Sequence, residues 1–148
     1  MNLNEDLKMK GELTVVVRAE DGTIKQEFNV PNLVVTVGKN YIASRMASNS
    51  ATVMSHMAIG TGTATPGASD TTLGTEAGRV TLASGSNSAN AITYTATFPA
   101  GTGTGAITEA AVLNAASVGT MLCRTTFPVV NKAAGDSIAI TWVVTLSV

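Results

Sequence analysis

The sequence is poor in the residues that carry most protein chemistry. It has one cysteine and one histidine, and aromatic residues make up only 4% of its 148 positions. A single cysteine excludes an intrachain disulfide. One cysteine with one histidine also falls short of the about four nitrogen or sulfur ligands of a structural zinc site. We therefore expect no disulfide framework, no metal site, no cofactor and no catalytic residues.

Charge of either sign is scarce. Charged residues make up 13% of the chain and the net charge is −1, against about 25% charged residues in a typical soluble domain. Such a chain has no electrostatic attraction for nucleic acid or for an anionic membrane. So little charge is a solubility problem for a lone monomer. The composition thus favours an exterior covered by neighbouring subunits, with a Thr-rich domain that is adequate on its own as the alternative.

Long apolar runs are also missing. No run approaches the roughly 20 apolar residues of a membrane span. The first ten residues, MNLNEDLKMK, lack the apolar core of a secretory signal. We expect a soluble product made in the cytoplasm, and a length suited to one domain.

What the chain does have is the pattern of a β-sheet. Runs rich in Thr, Val, Ile and Ala are separated by Gly-rich turns: AITYTATF, AITEAAVLN, TMLCRTTF and SIAITWVVTLS. Between Ile138 and Leu146 every second residue is apolar, which predicts a half-buried strand with Trp142 facing the core. Cys123 lies inside another of these runs and is predicted to be a buried thiol.

The remaining segments complete an all-β prediction. The predicted elements are a hairpin of Leu13–Arg18 and Thr23–Val30, a break at Pro31-Asn32, a buried strand Leu33–Val37, a helix Gly38–Ser48, a strand Val53–Ile59, a loop Gly60–Leu73, a strand Arg79–Ala83 and a polar connector Gly85–Asn90. With the C-terminal runs this gives about nine strands in a two-layer antiparallel sandwich, jelly-roll-like, with one short helix near residues 38–48. Residues 1–10 are predicted to form an N-terminal arm, and residues 11–148 a single sandwich domain.

Two glycine-rich loops invite comparison with phosphate-binding loops. They are Gly60-Thr61-Gly62 and the GTGTG segment at Gly101 to Gly105. A phosphate loop places backbone amides around an anion and is usually followed by a lysine and a helix. Neither loop has that continuation, so both are interpreted as connections between strands.

The carboxylates do not form a convincing catalytic pair. Asp70, Glu76 and Glu109 lack the aromatic surroundings of a sugar-cleaving site. Asp70 is instead predicted to cap its loop, and Glu109 to lie on the exposed face of a strand. Arg124 is predicted either to pair with Glu109 across neighbouring strands or to reach a partner subunit, and an exposed pair would contribute about 0–1 kcal/mol. His56 is predicted to be partly buried and hydrogen-bonded rather than catalytic.

Three segments carry a family resemblance. HMAIGTGTATPGASDTTLG, ITYTATFPAGTGTGAITEAAVLN and GTMLCRTTFPVVNKAAGDSIAITWVVTLSV resemble a group of small structural proteins of tailed bacteriophages. Members of that group are described as capsid cement or decoration proteins and as tail-fibre or collar proteins. The resemblance covers about Leu33 to Val148, and its most distinctive parts lie at Gly119–Pro128 and Gly135–Trp142.

The resemblance implies a non-enzymatic virion protein on a jelly-roll-like sandwich, present in many copies. We expect a cement protein on the outer capsid surface, with the major capsid protein and further copies of the chain as partners. A tail, collar or baseplate component is the alternative, and a carbohydrate-binding module a more distant one. The residues expected at interfaces lie in the arm and the long loop: Met1, Leu3, Leu7, Met9, Thr61, Thr63, Pro66 and Asp70.

Overall fold

The computed structural model describes residues 6–47 and 51–147, which form a β-sheet fold with one short helix. In chain order the elements are β1 Lys8–Arg18, β2 Ile24–Val34, α1 Thr36–Ala47, β3 His56–Gly60, β4 Glu76–Thr81, β5 Ser84–Ser88, β6 Ala91–Phe98, β7 Gly105–Leu113, β8 Met121–Lys132 and β9 Ser137–Ser147. The predicted all-β class, the number of strands and the short helix are confirmed.

The strands form one continuous antiparallel sheet that curls on itself. Its order is β4-β3-β7-β8-β2-β1-β9-β6-β5. β2 joins the two halves, because it pairs with β1 along most of its length while its last residues, Leu33 and Val34, pair with β8. The two predicted layers are therefore the two halves of one sheet.

The core lies between these halves. It contains side chains from β1, β6 and β9 on one side and from β3, β7 and β8 on the other. Trp142 of β9 is 0% exposed, and its neighbours at two-residue spacing, Ile140 and Val144, are also buried. The alternation in SIAITWVVTLS thus identified the buried face correctly.

Helix α1 packs closely on β8. A Cβ atom added at Gly38 would lie 2.2 Å from the carbonyl oxygen of Leu122, so only glycine allows this approach. Tyr41 and Ile42 then pack against the core. The predicted helix differed from the observed one by two residues at its start, and Ser48 lies outside the described residues.

Several boundary predictions were wrong. The predicted buried strand Leu33–Val37 is not one element, because β2 ends at Val34 and α1 begins at Thr36. β1 begins at Lys8, so Lys8–Lys10 belong to the sheet and not to an arm; they pair with Ser147–Thr145 of β9. Pro31 does not end its strand, because it lies where β2 leaves β1 for β8, and its carbonyl accepts a hydrogen bond from Thr125.

The predicted connector Gly85–Asn90 is another of these errors, since most of it forms β5. Every residue of β5 is exposed. An edge strand without a buried face needs no apolar residue, so the alternation that identifies other strands is absent from SGSNS.

We predict that Trp142→Ala lowers the free energy of unfolding by about 3–5 kcal/mol, because it leaves a large cavity in the core. Chemical denaturation measures the loss. Thr141→Ala, on the exposed face of the same strand, should change stability by no more than about 0.5 kcal/mol. Equal effects of the two substitutions would contradict the burial of Trp142.

Candidate functional site

The most highly organised polar site is an ionic cluster on the outer face of β7 and β8. Glu109 of β7 and Arg124 of β8 are 0% and 2% exposed. Arg124 donates to Glu109 Oε2 from Nη2 at 2.8 Å and from Nε at 3.2 Å, and to Asp70 Oδ2 from Nη1 at 2.8 Å. The predicted pairing of Arg124 with Glu109 is confirmed, but the predicted exposure of both was wrong.

Backbone amides of the loop between β3 and β4, residues 61–75, complete the shell around Glu109. The amide nitrogens of Gly62 and Thr75 lie 2.8 Å from Oε1, and that of Gly74 lies 2.9 Å from Oε2. Burial alone would raise the pKa of Glu109. These amides, led by Thr75, together with Arg124, instead hold its pKa below the ordinary value. The carboxylate is therefore a charged structural anchor of the loop.

Only glycine fits at Gly60, the last residue of β3, and at Gly62 in the loop. A Cβ atom at Gly60 would lie 2.3 Å from the Thr75 carbonyl oxygen, and one at Gly62 would lie 2.5 Å from Glu109 Oε1. The loop aims amides at an anion, as a phosphate-binding loop does, but the anion is a side chain of the same protein. The interpretation of Gly60-Thr61-Gly62 as part of a connection between strands is confirmed. Its glycines are needed because a Cβ atom there would collide with the Thr75 carbonyl or the Glu109 carboxylate.

The loop also covers apolar surface. Leu73 is buried in a second cluster on the outer face of the sheet, formed with Val35, Ala58, Ala111, Leu113 and Met121. Further hydrogen bonds run from Thr108 Oγ1 to the Gly62 carbonyl and from Arg124 Nη2 to the Ala64 carbonyl. The loop is thus a third layer over β3 and β7, held by both apolar and ionic contacts.

The predicted interface residues of the loop lie on its outer side or close to it. Thr63 is exposed, and Thr61, Pro66 and Asp70 are partly exposed. Asp70 caps the loop as predicted, although it accepts from the preceding amide of Gly67 rather than from the residues that follow. Asp70 is the loop's only charged side chain and is paired with Arg124. The outward surface of this loop carries no unpaired charge, and its backbone is held from below by Glu109.

The N-terminal interface residues lie elsewhere. Met1 and Leu3 fall outside the described residues. Leu7 is 71% exposed, and Met9 packs against the core beside α1. A cavity of about 400 Å³ opens there between α1 and the sheet. It is lined by Met9, Tyr41, Ile42, Arg45, Met46, Ile92, Tyr94, Leu122, Val144 and Leu146. The structure does not bring these residues together with the loop over β7.

Three other groups were singled out from sequence. His56 is half-buried, with Nδ1 2.7 Å from the Ser55 hydroxyl, as predicted. Cys123 is fully buried, and burial raises the pKa of its thiol. Glu76 forms an ion pair with Arg79 on β4 rather than facing Glu109.

A buried lysine was missed. Lys132 is 2% exposed, and its Nζ donates to the Pro99 carbonyl at 2.9 Å. Burial lowers the pKa of Lys132, while Asp136 opposes that shift. No sequence signal distinguishes this lysine from an ordinary solvent-facing one beside a turn.

Comparisons with known proteins supply no relative. No family model matches the chain, and no significant match was found among curated proteins or solved structures. Residues 6–47 and 51–147 contain no group of three or more His, Cys, Asp or Glu side chains placed to hold a metal ion. Within the same residues, no helix is long and apolar enough to cross a membrane.

We predict that Glu109→Gln lowers stability by about 3–5 kcal/mol at neutral pH, because Arg124 is left buried without its main partner. Folding lowers the pKa of Glu109, so its charge stabilises the fold above the ordinary value of 4.5. That contribution is lost as the pH falls through the folded-state pKa. The stability difference between wild type and variant, measured by denaturation from pH 7 to pH 3, should therefore shrink on acidification.

The control for this prediction is Glu76→Gln, which removes an exposed ion pair and should cost no more than about 1 kcal/mol. A Glu109→Gln variant as stable as Glu76→Gln would contradict the anchoring role of the buried carboxylate.

We also predict that Gly62→Ala destabilises the protein by about 1–3 kcal/mol, because its methyl group must displace the carboxylate from its amide donors. Gly67→Ala is the matched control in the same loop. Its Cβ would meet nothing closer than 3.5 Å, the distance to Asp70 Oδ1, so a change within about 0.5 kcal/mol is expected. Thermal unfolding of the two variants gives the comparison, and similar losses would show that the loop does not enclose Glu109.

Proposed function

We propose that this chain is a non-enzymatic structural protein of a tailed-phage particle, where it acts as a cement on the outer capsid surface. Its partners would be the major capsid protein and further copies of itself. The resemblance described above suggests this role. The observation that carries it is the neutral loop of residues 61–75, fixed from below by Glu109.

A fixed, uncharged loop suits a contact surface. Association loses less conformational entropy when the contacting segment is already held in one conformation. The loop's amides at Gly62, Gly74 and Thr75 are tied to one carboxylate, and its outward side chains are mostly Thr, Ser and Ala. Such a surface would change its conformation little on binding, and its lack of charge would repel few partners.

The same cluster is poorly suited to acid–base chemistry. Both oxygens of Glu109 already accept hydrogen bonds, and its side chain is covered by the loop. A general acid or base must reach the proton that it transfers. The geometry thus favours an internal anchor over a catalytic group.

Cementing itself requires only mass action. A subunit that binds the assembled lattice but not its separate parts lowers the free energy of the assembled state by its own binding term. Many weak copies on one shell therefore give a large total effect.

A tail, collar or baseplate component would use the same kind of surface and is the rival proposal. A carbohydrate-binding module is less well supported. The two tyrosines of this chain, Tyr41 and Tyr94, line one cavity. Both residues are half-buried, whereas sugar stacking needs an accessible flat ring.

We predict that purified particles contain the protein in hundreds of copies, close to the copy number of the major capsid protein. Quantitative gel densitometry or mass spectrometry of particles measures this ratio. A count of a few to a few dozen would assign the protein to the tail instead, and its absence from particles would remove both proposals.

A variant test separates the loop from the rest of the surface. Thr63→Lys places a charge on the exposed loop, and we expect at least about tenfold weaker binding to particles stripped of the protein, equivalent to about 1.4 kcal/mol. Thr141→Lys places the same charge on the exposed face of β9 and should bind normally. Co-sedimentation measures both, and undiminished binding of Thr63→Lys would exclude the loop from the interface.

A further inference from the structure

The continuous sheet has two end strands, β4 and β5. Among the described residues β5 pairs with β6 and with no other strand, so one of its backbone edges is unpaired. All five of its residues are exposed. An unpaired strand edge presents amide and carbonyl groups that can pair with another chain.

The two ends of the sheet are protected differently. β4 has an irregular register against β3 at Ile59/Gly60, and it carries the ion pair of Glu76 with Arg79. Arg79 also donates to the carbonyl groups of Ala115 and Val118. Bulges and charges of this kind discourage pairing between edges. β5 has neither: its ladder with β6 is regular, and SGSNS contains no charge and no proline.

The outer face of β5, β6 and β9 is uncharged and rich in hydroxyl groups. Ser84 is aligned with Thr95 of β6, which is aligned with Thr141 of β9. Thr141 is in turn aligned with Thr14 of β1, so one row of hydroxyl side chains crosses four strands. The first two are hydrogen-bonded, with 2.6 Å between Ser84 Oγ and Thr95 Oγ1. Ser86 is aligned with Thr93 in the next row.

We propose that β5 pairs antiparallel with β5 of a second copy of this chain, around a twofold axis at Ser86. In that register Ser84 faces Ser88 of the partner subunit, and Gly85 faces Asn87 of the partner subunit. The three serines of one face thus meet only serines, whose hydroxyl groups can bond across the strands. A twofold interface sets the residue on its axis against its own copy, so a charge there would be repelled; SGSNS has none.

SGSNS reads SNSGS in reverse, so its sequence is nearly the same in both directions. This near-palindrome favours a second copy of the chain over an unrelated partner. A different peptide adding to the edge would need only free amide and carbonyl groups, whereas self-pairing also needs residues that match themselves in reverse order. The joined sheet would run β9-β6-β5 and then β5-β6-β9 of the partner subunit, continuing the hydroxyl-rich face. This inference rests on the many-copy part of the proposed function and not on the phage particle.

The first test is the mass of the purified chain in solution. Sedimentation or light scattering over a concentration series should show a species of twice the 15.0 kDa chain mass, favoured at high concentration. Ser86→Lys sets two like charges face to face on the axis and should leave only the single-chain mass. Thr141→Lys adds the same charge to a central strand and should still dimerise. A wild-type chain that stays monomeric throughout, or a dimeric Ser86→Lys, would overturn the proposal.

The second test probes the register. Ser86→Lys and Ser86→Asp should each be monomeric, and mixing them should restore the dimer, because lysine then faces aspartate across the axis. Ser86→Cys gives the chain one accessible thiol, since Cys123 is 0% exposed, and mild oxidation should cross-link it to a dimer on a non-reducing gel.

Thr141→Cys is the matched control for cross-linking and should stay largely monomeric. Failure of mixing to restore the dimer, or equal cross-linking of both cysteine variants, would exclude pairing at Ser86. Because these measurements use the free chain, their failure is distinct from a low copy number on particles.

Discussion

A single buried carboxylate fixes the loop that covers one half of the sheet. Removing a charged group from water is expensive unless hydrogen bonds and an opposite charge replace the lost hydration. Glu109 obtains both, from three loop amides and from Arg124. These requirements determine the path of the loop, because its amides must reach both oxygens at once. They also explain why Gly60 and Gly62 have no side chain.

The covering loop makes the two halves of the sheet different. In the half formed by β3, β7 and β8, the loop buries the outer face through Leu73, so β7 from Glu109 to Leu113 is buried on both faces. In the other half, β6 and β9 have an outer face that is rich in threonine and at least partly exposed to solvent. One exterior is thus a covering loop, and the other a hydroxyl-rich strand face that ends at the unpaired edge of β5.

Strand limits were predicted correctly from sequence where one face of a strand is buried and the other is exposed to solvent. β6 and β9 were predicted with their observed limits, because alternation of apolar and polar residues records burial on one side. Prediction from sequence failed for β5, where neither face is buried and SGSNS carries no alternation.

The position of Glu109 was harder to predict, since a strand glutamate facing water and one facing a covering loop look alike by themselves. One signal was present: Ala111 and Leu113 share its face and are apolar, so that face could not have been wholly solvated. The three loop amides that bind Glu109 are separated from it by more than thirty residues of chain, and no local pattern marks such distant partners. The resemblance to phage structural proteins finds no support or contradiction in the comparisons, so the function stays a proposal for the experiments described above.

Some of the few charges of this chain lie inside it: among the described residues Glu109, Arg124, Lys132 and Asp136 are buried. Arg124 and Glu109 are buried together, and Lys132 is buried against a carbonyl group. Lys25 binds Asp136, whose pKa is lowered mainly by that bond. Each buried or paired charge leaves fewer free charges on the surface to repel neighbouring molecules in solution. A chain with little charge, part of it neutralised internally, would lose little electrostatically if copies or partners covered its surface. The low overall charge, the neutral loop and the uncharged edge of β5 therefore share one property, which is weak electrostatic repulsion of a neighbouring molecule.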